Sequence, residues 1–362
     1  MSETPNIKSP FKFLDPYEKE DHHLFFGRER ETEQLYEQIQ SAKLLLVYGA
    51  SGTGKTSIIN CGLTNKFGDT DWNPLFIRRG QNLTAATLQQ IHGQLRDKNK
   101  SLPAGSSLTV GVEQLFWTRY IPVYLIFDQF EELFIQGDPI TEQKPFFDEM
   151  YRLLNAETFC RVILVMREEY LAWLSDFEAV IPDLFDNRLR IEKMSERQLR
   201  HVIKGTLAAK EFDIELQEAD ATASQIIDNI RNERREVDLT ELQVYLDHLY
   251  RQASINKGRR VFNPRLAREA GEMKNVLTLF LEEQLDILED KLKTEFHLTD
   301  PQGIPLEILF TLVTNERTKR AMRKEDILRR LAQLPAERRF PPKVLDYCLE
   351  EFNRLRLINQ LD

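Results

Sequence analysis

Apolar positions along the chain fall first into short continuous runs and later into helical spacing. Lys43–Gly49, KLLLVYG, is an unbroken apolar run closed by glycine, the pattern of a strand buried on both faces of a parallel sheet. Pro74–Arg78, Val123–Asp128, Arg161–Arg167 and Arg188–Glu192 read as further strands. Helical patterns lie among them at Arg28–Gln40, Ser57–Lys66, Ala85–Arg96, Val112–Tyr120 and Pro145–Leu154. Strands alternating with helices predict an α/β domain with a parallel sheet. From Ser195 the pattern changes to helix upon helix: Ser195–Ala209, Ala221–Arg231, Leu239–Gln252 and Val276–Leu292.

Turn chemistry in HLTDPQG, His297–Gly303, marks a second break. Three short helices are predicted after it, at Pro305–Val313, Lys324–Leu334 and Pro342–Leu355, and then the start of a strand at Leu357–Asp362. That order resembles a winged helix-turn-helix stopped before its wing. Pro5, Pro10 and Pro16 make the first stretch an extended leader. The predicted segments are a leader 1–24, an α/β domain 25–194, an all-helical domain 195–297 and a winged-helix-like domain 298–362.

Composition narrows the class. With 362 residues, 41% hydrophobic and 30% charged, the chain is neither fibrous nor disordered, and its length suits two or three domains. Cys61, Cys160 and Cys348 are too scattered for a disulfide framework or a zinc knuckle, and fit a reducing compartment. No apolar run approaches the ~20 residues of a membrane span, and MSETPNIKSPFKF carries no signal core. A cytoplasmic protein with no membrane partner is expected. A net charge of −9 argues against a protein that coats nucleic acid non-specifically. Arg317–Arg339 is the local exception, with nine basic residues against Glu325, Asp326 and Glu337.

The first chemical motif is GASGTGKT, Gly49–Thr56, which fits G-x4-G-K-[ST] between a predicted strand and a predicted helix. Glycines let such a backbone fold into a nest whose N–H groups face phosphate oxygens, and the helix start adds its positive end. The nucleotide-binding candidates are therefore Gly49, Ala50, Ser51, Gly52, Thr53, Gly54, Lys55, Thr56 and Ser57. Lys55 is expected on the β- and γ-phosphates, and the Thr56 hydroxyl on Mg²⁺.

VYLIFDQFEEL, Val123–Leu133, supplies the acidic strand end such a loop needs. Asp128 is the expected Mg²⁺ partner. Glu131, or Glu132 beside it, is expected to orient an attacking water as a positioned acceptor. The plainer alternative is that both acids merely suit a helix start. Arg167 ends another apolar strand. In P-loop ATPases with an extra strand between the loop strand and the acidic strand, that tip lies beside the γ-phosphate. A guanidinium there could tell ATP from ADP. Pairing on the surface with Glu168 or Glu169 is its plainer alternative.

Together with FFGRERE, Phe25–Glu31, these motifs resemble the STAND class of P-loop ATPases, in particular the bacterial novel-STAND group, over roughly Pro10–Leu357. The resemblance implies an ASCE-type P-loop domain with a five-stranded parallel sheet in the order 5-1-4-3-2, an all-α lid and a winged helix. It places Phe26, Gly27 and Arg28 at the adenine. VDLTELQVYLDHLY, Val237–Tyr250, is similar to the family's lid helix, with Thr240 where a nucleotide-facing proline is frequent. The winged-helix histidine of STAND proteins has no counterpart before Asp362, and no effector or sensor segment is present, so the chain reads as a core module or a truncated switch.

The function so implied is an ATP/ADP-dependent signalling switch with Mg²⁺, in which exchange and slow hydrolysis control opening and homo-oligomerisation, with roles in bacterial stress or anti-phage defence. The alternative is a DNA-binding regulator or initiator ATPase acting through the winged helix, supported by Arg317–Arg339. Asn65-Lys66-Phe67-Gly68 misses the Asn-Lys-x-Asp string of guanine specificity, so ATP is preferred over GTP.

Overall fold

Four largely apolar strands and a short fifth with an exposed arginine at each end form one parallel sheet: β1 (Leu44–Gly49), β2 (Asn73–Ile77), β3 (Val123–Phe127), β4 (Cys160–Arg167) and β5 (Arg188–Arg190). The computed structural model describes residues 11–12, 15–233, 235–298, 300–312, 324–331, 340–354 and 358. The strand order is β2-β3-β4-β1-β5, which from the other edge is the expected 5-1-4-3-2. Parallel neighbours need crossovers, and helices provide them. These are α2 (Lys55–Ser57), α3 (Leu83–Arg96), α4 (Leu108–Arg119), α5 (Glu132–Gln136), α6 (Lys144–Asn155) and α7 (Leu171–Ser175), while α1 (Glu29–Ser41) leads into β1. Two cores result. Leu75, Leu125, Phe127, Val162 and Leu164 pack on one face with Ile91, Leu115, Phe146 and Phe147. Leu45, Val47, Ile126 and Ile163 pack on the other with Leu35, Ile39, Ile58 and Leu63.

The helix after the phosphate loop departs from a plain α-helix. Lys55–Ser57 is α-helical, Ile58–Leu63 is π-helical and Thr64–Lys66 tightens to 3-10. A widened turn of this kind is common at functional sites. Gly62 permits the close pass of α1, since a Cβ there would lie 2.5 Å from Thr32 Oγ1.

The predicted leader is not simply extended over its described part. Lys19–Leu24 forms a 3-10 helix. Tyr17 N–H donates to Ser57 Oγ at 3.1 Å, and Asn65 Nδ2 donates to the Lys19 carbonyl at 2.8 Å. Phe11 packs edge-on against Phe212 and Tyr250 of the following region.

That region holds α8 (Glu196–Leu207), α9 (Ala219–Ile230), α10 (Leu239–Gln252) and α11 (Pro264–Ala270). It was expected to be wholly helical. The structure corrects this with a three-stranded sheet ordered β6-β8-β7, from β6 (Ile214–Leu216), β7 (Ile255–Asn256) and β8 (Arg259–Phe262). Strands of two to four residues, one opening on Arg259-Arg260, leave no apolar run to see.

The chain divides into two compact units between Ala270 and Gly271. The break predicted at 194/195 thus lies inside the first unit, and the one at 297/298 inside the second. The second unit contains α12 (Met273–Glu295), α13 (Ile304–Thr311), α14 (Lys324–Leu331) and α15 (Pro342–Arg354). Its core joins Leu285, Leu288 and Leu292 of α12 to Ile308, Ile327, Leu331, Val344 and Phe352, which is why α12 groups with the later helices. The strand start predicted at Leu357–Asp362 and most of the basic Arg317–Arg339 stretch lie outside the described residues. Among those described, no helix is long and apolar enough to cross a membrane.

Candidate functional site

Parallel register sets several strand ends at one edge of the sheet. Gly49 at the tip of β1 pairs with Arg167 at the tip of β4. Asp128, just past β3, donates its N–H to the Ile77 carbonyl of β2 at 2.9 Å. Phe130 N–H bonds the Val165 carbonyl at 2.9 Å, which turns the acidic segment back over β4.

The loop after β1 needs its glycines. Gly52 and Gly54 have φ of +73° and +84°, in the left-handed region that side chains disfavour. Gly49 is held by close approach, since a Cβ there would lie 2.2 Å from the Ile191 carbonyl oxygen. Thr53 Oγ1 donates to the Ala50 carbonyl at 3.0 Å and closes the turn. Lys55 Nζ reaches back across the loop to the carbonyls of Gly49 and Ala50, 2.8 Å from each. Burial lowers the Lys55 pKa, with Glu131 acting in the opposite direction. Thr56 Oγ1 lies 3.1 and 3.3 Å from the two carboxylate oxygens of Asp128. A hydroxyl and a carboxylate so close offer hard oxygen donors to a small divalent cation, so the residues present fit Mg²⁺. Ser51 is exposed at the loop, and Ser57 Oγ is occupied by Tyr17.

Glu131 is 4% exposed, and its carboxylate meets Arg167 twice: Oε1 is 3.1 Å from Nε, and Oε2 accepts the backbone N–H at 3.2 Å. Burial pushes its pKa up, against the N–H bonds and the Arg167 charge. Glu132, which opens α5, is pushed up by burial first and by the charge of Glu131 second. Arg167 therefore pairs inward with Glu131, while Glu168 takes Arg190 at 2.9 Å.

The segment before α1 packs on α8. Phe26 stacks edge-on with His201 at 5.6 Å and lies over Gly205, where a Cβ would come within 2.8 Å of the ring. Gly27, at φ +79°, accepts Gln198 Nε2 on its carbonyl at 3.0 Å. Arg28 is buried, and its Nη2 binds the Thr53 and Glu192 carbonyls at 2.8 Å each, tying the phosphate loop to the chain after β5.

Three residues near this edge were not singled out as site candidates from the sequence. Arg78 follows β2, and its Nη2 is 3.1 Å from Asp128 Oδ2. A basic residue right after an apolar run was its available signal, as for Arg167. Asp238 and Leu239, at the start of α10, touch the loop at Gly52 and Gly54. The likeness of Val237–Tyr250 to a lid helix pointed to this helix start, but not to Asp238 and Leu239 as the side chains in contact.

A phosphate loop after the inner strand β1, with an acidic tip two strands away on β3, is the architecture of the P-loop NTPases. Within that class the chain belongs to the family Novel STAND NTPase 1, whose model matches residues 10–360. No curated protein matches it by sequence. Among solved structures it is similar to the ORC2 protein of Aeropyrum pernix in ADPNP–ADP complexes. There the identity is 14% and the TM-score 0.53, covering 91% of this chain and 94% of that one. The ADP form of the same protein gives 15% identity and a TM-score of 0.51, covering 94% and 96%. A Walker-type ATPase of Pyrococcus abyssi gives 15% and 0.50, covering 94% and 92%. At such identities the likeness is one of fold.

Proposed function

We propose that this NTPase is an ATP/ADP-controlled switch whose exchange and slow Mg²⁺-dependent hydrolysis govern opening and self-association. The observation that carries the reading is the Glu131–Arg167 pair at the sheet edge that also holds the phosphate loop. In it, a carboxylate able to orient water is tied to a guanidinium able to bind a terminal phosphate. A γ-phosphoryl group gives Arg167 a second partner, and Glu131 is then released to take a hydrogen bond from the attacking water. Lys55 transfers from the Gly49 and Ala50 carbonyls to phosphate oxygens, while loop N–H groups hold the β-phosphate. Thr56 and Asp128 would hold Mg²⁺, which would supply positive charge to offset that of the phosphates. Phe26 and Gly27, with Arg28 bracing the loop behind them, are proposed to shape the adenine side.

Magnitudes allow a switch. Moving a two-state equilibrium from 1:99 to 99:1 takes about 5.5 kcal/mol of differential binding. Charge-assisted bonds from Lys55 and Arg167, at roughly 1.5–3 kcal/mol each, approach it. Particle mass in ADP and in a non-hydrolysable ATP analogue tests the reading. Growth only with the triphosphate is expected, and equal mass in both would remove the switch.

A DNA-binding initiator ATPase is the second reading, favoured by the basic residues of Arg317–Arg339. Phosphate contacts would make DNA affinity fall with salt by a log–log slope of about 0.9 per contact. Weak binding that is flat in salt would retire it.

A further inference from the structure

Helix α10 starts on the phosphate loop, and it does so with an acid. Asp238 is its N-cap, and Oδ1 accepts the Thr240 N–H at 2.8 Å. The rest of the carboxylate faces the loop: a Cβ built on Gly52 would lie 2.0 Å from Asp238 Oδ2 and 2.5 Å from Cγ. One residue on, Leu239 Cδ1 lies 3.3 Å from a Cβ built on Gly54. The side chains that cover the two left-handed glycines therefore come from α10. Among the described residues, the Thr240 N–H is the hydrogen-bond partner of the Asp238 carboxylate, and no lysine or arginine forms an ion pair with it.

Capping explains the bond to Thr240 but not the choice of an acid at this contact, because Ser and Asn cap as well. What distinguishes aspartate is its charge. That charge rests against backbone that would hold the β- and γ-phosphates, where water is partly excluded and like charges repel strongly. ATP brings one more negative charge to the loop than ADP does.

On the nucleotide-binding reading above, we infer that Asp238 sets the diphosphate–triphosphate preference of the loop. Its carboxylate penalises ATP more than ADP, so α10 seats over bound ADP and is pushed away by ATP. Its role is specificity and positioning, not chemistry.

The test is calorimetric titration of the full chain and its Asp238→Asn and Asp238→Ser variants with ADP and with a non-hydrolysable ATP analogue. Both substitutions keep the cap and remove the charge, and two different replacements guard against loss of one to misfolding. Triphosphate affinity is expected to rise about tenfold, equivalent to about 1.4 kcal/mol, with a smaller gain for ADP. The ratio of the two affinities should also lose much of its salt dependence. An unchanged ratio in both variants overturns the inference. So does a fall in triphosphate affinity, which would make the carboxylate a ligand of the bound metal. Failure of the parent itself to bind either nucleotide sinks the reading of the loop, a result distinct from an unchanged ratio.

Discussion

A buried acid carries a stability penalty, and Glu131 shows its sign. Burial raises its pKa in the folded protein above the unfolded value, so folding disfavours the ionised form. That penalty is absent below the unfolded glutamate pKa of about 4.3. It grows as pH rises and is complete above the folded pKa. Glu131→Gln is therefore expected to melt higher than the parent at pH 8, with the gap closing as pH falls towards 4, while single-turnover ATP hydrolysis is lost. Calorimetric scans across that pH range check it, and a gap independent of pH would contradict it. Lys55, Asp128 and Arg167 were legible because each stands at a motif position or at the end of an apolar run. Arg78 and Asp238 were not. Their importance lies in which group they touch, and that depends on strand register and on where α10 comes to rest.

Among the elements, α8 is well specified. Ser195 Oγ accepts the Gln198 N–H while the Gln198 side chain takes the Ser195 N–H at 3.0 Å, a reciprocal capping box. The same Gln198 reaches the Gly27 carbonyl, so the cap also anchors the segment proposed at the adenine. Ser195→Ala is expected to cost about 1 kcal/mol, a fall of roughly 2–4 °C in melting temperature. Nucleotide affinity should weaken with it, since Gln198 loses its fixed position. Unaltered melting would remove the cap from the account. Strand and helix positions were readable from periodicity because long apolar runs have one stable environment, a doubly covered sheet. The π-helical turn after Ser57 and the strands β6 to β8 were not, because short stretches are decided by neighbours rather than by their own pattern.

The molecule as a whole has separate cores on either side of Ala270 and Gly271, so its unfolding need not be a single event. Phe352 is fully buried among Leu288, Ile308 and Val344, away from the nucleotide loop in sequence and in unit. Phe352→Ala should lower one thermal transition by about 3–5 kcal/mol worth of stability and leave the transition that ADP raises unchanged. Calorimetry with and without ADP resolves the two. A single transition shifted as a whole would mean that the units unfold together.

The sequence alone determined the class. An apolar run, a glycine loop with Lys55 and Thr56, and an acid ending a second run are local features, and local features survive being read one segment at a time. Tertiary structure decided the partnerships. Glu131 faces Arg167 because β3 and β4 pair in parallel at one register. Arg28 braces Thr53 because its guanidinium is buried between two loops. Asp238 lies on Gly52 because the start of α10 comes to rest on the phosphate loop. Such contacts join residues far apart along the chain, and only packing selects among them.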